Sequence, residues 1–434
     1  MLVSGLESCN ILATDAVIDP NNPSLASIQK DATKSQLDAL AVGTIARSRD
    51  GLATYRQVMG TLGKELFNFN TTESRWMTEL NGVKPIDNSA FYNGATTGFG
   101  PSIRQTNVFL ASIDQTNSVS TTEKAGYKGL ANTYKALAYL HMLNSQGKNG
   151  VRLNMEDPLK PSAFATYDES LAGIKKFLDE GAAQLDQAGA SFAFATPTGL
   201  AGFNTPANFK KFNRAIALRV AIYQKDFAGA AAILPTTFYN ATGDLNAGPK
   251  HTFNPTAPDI ANPLLNSSSV RVVAIEKLVD EAEAGDKRIT SKLRVATPAL
   301  AYSSGVVYSS KYVSNIWLTA TQDVAIIRNE ELVLIAAEIA AQQGQTENAV
   351  KLINTIRAAA GLKDYTGKTT KDDLINAILK ERLWSLFYEG HRLVDMRRYG
   401  KIADIFIPVS SMKVLENLER PAAEVAWDKY IIGK

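Results

Sequence analysis

Between Arg328 and Gly400 the chain repeats apolar residues at helical spacing and sets charged residues into the same stripes. The run RNEELVLIAAEIAAQQGQTENAVKLINTIRAAAGL puts Leu332, Ile335, Ala336 and Ile339 on one face, and Gly344 closes that helix. A second helix presents Ala349, Val350, Ile353 and Ile356. After a loop, TKDDLINAILKERLWSLFYEGHRLVDMRRYG aligns Leu374, Ile378, Leu379, Leu383, Leu386 and Phe387. Glu381, Arg382, Glu389, Arg392, Asp395, Arg397 and Arg398 are interleaved with that stripe. Charges that cannot all reach water pair with one another. Glu381, Arg382, Glu389, Arg392, Asp395 and Arg398 are therefore expected to form a structural ion network that does not touch ligand.

The rest of the chain predicts a mostly α protein with one long interruption. Helical scaffold is expected over 24–66, 120–234 and 329–400. Thr166 and Glu169 stand at capping-box spacing and open one of these helices. Regions 67–119 and 235–328 are rich in Gly, Asn, Thr and Pro and read as loops that present a surface. Within the second, 272–284 reads as helix and AYSSGVVYSSKYV as one or two short strands. Ala230-x3-Leu234 and Ala349-x3-Ile353 share the spacing found on the second helix of tetratricopeptide hairpins. No tandem period of about 34 residues connects them, so scattered hairpins are expected and not a repeat array.

Composition excludes several classes. Lys and Arg number 46 against 43 Asp and Glu, a net charge of +3, which offers no cationic field for nucleic acid. No stretch approaches the roughly 18 apolar residues that a spanning helix needs, so a water-exposed body is expected, whatever tethers it. Cys9 is the single cysteine, so no internal disulfide can form. Its setting, Leu6-Glu7-Ser8-Cys9, resembles a bacterial lipobox, in which the Cys is lipidated after signal cleavage. MLVSGLES lacks a charged start and an apolar core, so the true start is expected upstream or the chain is truncated. On these residues alone, an ordinary N-terminal Cys is the other reading.

The C-terminal blocks resemble the signature of the SusD/RagB family of outer-membrane nutrient-binding lipoproteins. The matching positions are Arg328, Glu331, Ala337-Glu338, Gly344, Asn354-Thr355-Ile356-Arg357 and Ala360-Gly361-Leu362. They continue through Glu381-Arg382, Leu386, Glu389-Gly390, Arg392, Asp395 and Arg398. Ser385 stands where the pattern has a second Glu. Ile407-Pro408-Val409 with Glu416 and Asn417, Cys9 with its Asp19-Pro20-Asn21-Asn22-Pro23 run, and the Thr166 helix start extend the match. The resemblance implies a SusD-like fold on tetratricopeptide-like helical hairpins. Residues 1–9 would be the remnant of a lipoprotein signal and 10–434 a single domain. It further implies a lipid-anchored protein of the outer membrane and cell surface. Such a protein would capture oligosaccharide or another nutrient for a SusC-like TonB-dependent transporter; no cofactor is expected and no residue is singled out as a metal ligand.

Two other classes are the alternatives: a helix-rich glycoside hydrolase and a tetratricopeptide-type interaction scaffold. His141, His251 and His391 have no metal-ligand spacing, and no nucleophile or phosphate-loop motif is present. Glu381 and Glu389 could suggest a carboxylate pair, but Arg382 and Arg392 beside them disfavour a general acid. The chain is therefore expected not to be an enzyme. Sugar capture needs flat rings with amides beside them. Trp76, Phe91, Tyr92 and Asn93 in the first loop region, and Tyr302 and Trp317 in the second, are the candidates. Trp76 and Trp317 are expected on one exposed face, and Trp384 in the core.

Overall fold

The structure, a computed structural model, describes residues 25–432 except 71, 158, 267–271 and 304–305. Cys9, the 1–9 segment and the Asp19–Pro23 run lie outside the described residues. The chain opens with helices α1 (Leu25–Asp31), α2 (Lys34–Arg47) and α3 (Leu52–Leu62), followed by strand β1 (Leu66–Asn68). Two single-turn helices, α4 (Arg75–Thr78) and α5 (Gly94–Thr97), lead into α6 (Gly100–Gln115). The helices α7 (Thr121–Gln146), α8 (Tyr167–Asp186), α9 (Pro206–Tyr223) and α10 (Phe227–Ile233) complete the N-terminal scaffold.

Local chemistry accounts for these boundaries. Thr166 caps α8 while Glu169 reaches back to it, as the spacing predicts, and Ser120–Glu123 and Thr33–Gln36 do the same for α7 and α2. The α7 helix is buried on nearly every side, against α2, α6, α8 and α9. Gly129 makes the α7–α8 crossing possible: a Cβ there would sit 2.5 Å from Leu185 Cγ.

The excursion is more ordered than its composition suggests. It carries β2 (Lys250–His251), β3 (Val272–Ala274), α11 (Glu276–Asp280), α12 (Lys287–Lys292), β4 (Leu293–Tyr302), β5 (Tyr308–Ser314) and β6 (Val324–Ala325). Strands β1, β3, β5 and β4 form an antiparallel sheet in that order, with Phe67 opposite Val273 and Val273 opposite Val313. The β4–β5 register slips between Val295 and Leu300, where Pro298 cannot donate to the ladder. Residues 272–284 are thus a buried strand followed by a short helix, not one helix. Residues 67–119 likewise depart from the loop expectation through α6, which buries Ile103, Phe109 and Ile113.

The C-terminal part consists of α13 (Asn329–Gln342), α14 (Thr346–Ala359), α15 (Lys371–Ser385), α16 (Arg392–Arg398) and α17 (Ala422–Ile432). Val333, Ala337, Ala349, Ile353, Leu374 and Ile378 make a core of their own where α13, α14 and α15 meet. The helical pattern over 371–398 is broken after Ser385, where Tyr388 (φ 67°) and Gly390 (φ 86°) turn the chain left-handed. His391 consequently precedes α16 rather than lying within a helix.

Candidate functional site

A cavity of about 370 Å³ opens between the excursion and this C-terminal unit. One wall is α12 with Arg288 and Lys292; another is the segment after β5, with Asn315, Trp317 and Gln322. Arg328 and Glu330 at the start of α13, and Phe387 and Glu389 in the break after α15, close it. A hollow of about 530 Å³ lies elsewhere, between α6 and Met155–Glu156, but among the described residues no aromatic ring lines it.

The Trp317 segment is held tightly. Its backbone is left-handed (φ 54°), a conformation that costs a bulky residue about 1–3 kcal/mol. Compensating contacts surround it. The Arg56 guanidinium lies 5.1 Å from the Trp317 ring centre, and the Tyr388 ring stands edge-on at 5.1 Å. Asn266 N donates to the Trp317 carbonyl (3.3 Å), and Asn262 Nδ2 to the Gln322 carbonyl (2.7 Å). Leu318 N donates to Gln322 Oε1 (2.8 Å). Asn315 N donates to the Lys292 carbonyl (2.8 Å), but its side-chain amide has no partner among the described residues.

The floor is charged. Arg328 pairs with Glu389 (2.6 Å) and Glu330, and also donates to the Ser385 carbonyl (2.7 Å). Arg288 pairs with Asp286 and Glu381, both at 2.7 Å, and donates to Ser385 Oγ (3.1 Å). Lys292 Nζ donates to the carbonyls of Trp384 and Ser385, both at 2.6 Å. All three cations thus gather at the C-terminal end of α15, where the helix dipole is negative. Burial would raise the Glu389 carboxyl, but Arg328, Arg56 and Lys292 outweigh it and hold it at about 2. Burial, with Arg328 adding repulsion, lowers Lys292 to about 8.

The expected ion network divides into separate pairs and triads. Asp395 accepts from Arg382 (2.7 Å) and Arg398 (3.0 Å), and Arg398 also grips Glu338. Glu381 accepts from Arg357 (2.9 Å) and Arg288, whereas Glu389 belongs to Arg328. Arg392 differs from expectation. Its Nε donates to the Gly63 carbonyl (3.1 Å), and among the described residues no carboxylate comes within ion-pair distance. Sequence reasoning assigned no pairing role to Arg219, which holds Glu331 at 2.6 Å across two helices.

The candidate rings fall into three places. Trp76, Phe91 and Tyr92 cluster, with Phe91 4.9 Å from Trp76 and 5.3 Å from Tyr92. Only Phe91 is exposed there, at 37%; Trp76, Tyr92 and Asn93 are buried. Tyr92 is bound through its hydroxyl, which donates to Glu79 (2.6 Å). Half-buried Tyr302 lies on the β4–β5 hairpin, 6.5 Å from Phe69. Trp317 is 5% exposed and Trp384 2%. The shared exposed face expected of Trp76 and Trp317 is therefore not what the structure shows: tertiary contacts cover both rings. Arg288, Lys292, Asn315, Gln322 and Glu330 line the cavity without having been singled out. The only local signal was the nearness of Asn315 and Gln322 to Trp317.

Among the described residues, no group of three or more His, Cys, Asp or Glu is placed to hold a metal. No described helix is long and apolar enough to cross a membrane.

The SusD family model matches residues 265–430. A SusD-like protein of Formosa agariphila is 31% identical over 98 residues, a stretch spanning 21% of this chain and 20% of that relative. Among solved structures, a SusD superfamily protein from Bacteroides vulgatus aligns at TM-score 0.70 and 15% identity, covering 91% of this chain and 96% of its own. Surface glycan-binding protein A from Bacteroides thetaiotaomicron aligns at TM-score 0.71 and 13% identity, covering 92% and 98%. The same protein in complex with laminarihexaose aligns at 0.70 and 12%, with the same coverage. Fold and C-terminal match agree: the chain is SusD-like, with the fold of SusD superfamily structures and a match to the SusD family over residues 265–430.

Proposed function

We propose that this protein binds oligosaccharide in the Trp317 cavity and delivers it, from the outer-membrane surface, to a SusC-like TonB-dependent transporter. The observation that carries the reading is a preformed hollow of about 370 Å³ lined by ion-paired walls and by an Asn315 amide that has no partner among the described residues. Sugar hydroxyls need such planar donors and acceptors held in place, since ordering them on binding would cost affinity. The laminarihexaose complex of surface glycan-binding protein A supports a glycan as the ligand class. Cys9 would carry the lipid anchor. Binding without catalysis fits the carboxylates: Glu381 and Glu389 are each clamped by Arg, which suits neither to donate a proton.

A glycan array followed by calorimetry tests the reading. At least one oligosaccharide should bind, and Asn315→Ala with Gln322→Ala should weaken it roughly tenfold. A blank array, or affinity untouched by both changes, refutes the cavity as the site. Affinity purification from outer membranes should recover a TonB-dependent transporter; recovery of none refutes the delivery step. Cys9→Ala should release the protein from the membrane fraction, and unchanged anchoring refutes the lipid role.

A further inference from the structure

We infer that the ligand carries a carboxylate, as on a hexuronic acid, which binds beside Lys292 at the end of α15. This rests on the glycan-binding reading of the same cavity and narrows its substrate class.

The argument starts from Ser385. Arg288 reaches its hydroxyl (3.1 Å), while Lys292 (2.6 Å) and Arg328 (2.7 Å) reach its carbonyl. Three cations therefore surround a neutral residue. The neighbouring acids are shared unevenly among the three. Arg288 has Asp286 and Glu381, and Arg328 has Glu330 and Glu389. Lys292 has main-chain carbonyls alone: two of its three N–H groups are used, and no carboxylate pairs with it among the described residues. All three cations line the cavity, together with the Asn315 amide, which has no partner among the described residues. Burial and Arg328 disfavour the Lys292 charge and Glu389 and Glu330 offset only part of this, so an arriving anion would relieve it. Glu330 and Glu389 also line the space and attract Lys292, but both are paired with Arg328 and neither comes within ion-pair distance of Lys292. A ligand carboxylate would thus supply the acid that the chain lacks, with Asn315 donating to its second oxygen or to a ring hydroxyl.

The test uses tetragalacturonate and its neutral counterpart, galactotetraose, in calorimetric titrations of the full chain. The wild type should bind the uronate at least tenfold tighter. Lys292→Gln should abolish that preference, with thermal melts reporting whether it folds. Ser385→Glu adds a charge instead of removing one; its carboxylate should occupy the cationic pocket and abolish the preference as well. Equal affinity for both sugars in the wild type overturns the inference, as does a preference that survives both substitutions. If galactotetraose binds through Asn315 but the uronate gains nothing, only this inference fails. If no oligosaccharide on the array binds, the glycan reading itself fails.

Discussion

Asp395 is the point at which the signature can be tested most sharply. It lies between Arg382 (2.7 Å) and Arg398 (3.0 Å), and all three side chains are 5% exposed or less. Asp395→Asn keeps the shape and removes the charge. Arg398 would retain Glu338, but Arg382 would lose the one carboxylate paired with it among the described residues. Leaving a buried guanidinium uncompensated costs about 3–5 kcal/mol. Unfolding entropy of about 2.1 cal/mol/K per residue over 434 residues gives about 0.9 kcal/mol/K, so Tm should fall by roughly 3–6 °C. Urea unfolding of wild type, Asp395→Asn, Arg382→Met and the double variant forms the assay. The double variant should recover part of the loss, because no orphaned charge remains. Burial would raise the Asp395 carboxyl, but Arg382 and Arg398 outweigh it and hold it below the ordinary aspartate range. The stabilisation is therefore complete above the unfolded aspartate pKa and fades as pH drops below it, so the gap between variant and wild type should narrow in acid. A variant within about 0.5 kcal/mol of wild type at pH 7 would refute the reasoning.

Further outcomes follow from burial and packing. Burial, with Arg56 and Arg49 adding repulsion, lowers His251 to about 3. The unfolded chain then takes up the proton first, so stability declines as pH falls below about 6.5. His251→Gln should remove roughly 2–3 kcal/mol of that decline by pH 4.5, and denaturation curves parallel to wild type would contradict it. Trp317→Ala should cost about 3–5 kcal/mol, whereas Phe91→Ala at the surface should cost less than about 1. Melts showing the opposite order would return Trp317 to the surface. Gly129→Ala gains helix propensity of about 1 kcal/mol, yet its methyl would meet Leu185. A net loss of about 1–2 kcal/mol is expected by urea titration, and a stabilised variant would show that α8 yields.

How much of this was legible in the sequence depended on whether the signal was local. The Thr166–Glu169 box and the left-handed Gly344 that ends α13 are written in a few adjacent residues, and both read correctly. Helix α6 was missed because Gly100-Pro101 looks like a break, although Pro in the first turn begins helices readily. Its buried face includes Ser102, Thr106 and Ser112, which blur the apolar period. Three residues of β3 are too few to show any period. Trp76 and Trp317 misled because Asn- and Thr-rich surroundings suggest water, while the groups that cover Trp317 come from Arg56 and Tyr388, far away in the chain. The cavity is assembled from residues scattered between Leu245 and Glu389, so no window of sequence contains it.

The buried ion pairs have a bearing on assembly as well as on stability. Apolar contact between helices is forgiving: a hairpin docked one turn away, about 5.4 Å along its axis, still covers most of its oily face. Arg219 and Glu331 meet at 2.6 Å from helices separated by more than a hundred residues, and Arg398 and Glu338 join α16 to α13 in the same way. A slip of one turn would leave these charges facing hydrocarbon, so a misaligned stack pays several kcal/mol that the aligned one does not. The pairs thereby act as alignment pins, checking that hairpins made at different times during synthesis have closed in a single arrangement. Replacing Arg219 and Glu331 together with Met and Leu should leave the melting temperature near wild type but lower the refolding yield. An unchanged yield would strip the pins of this role.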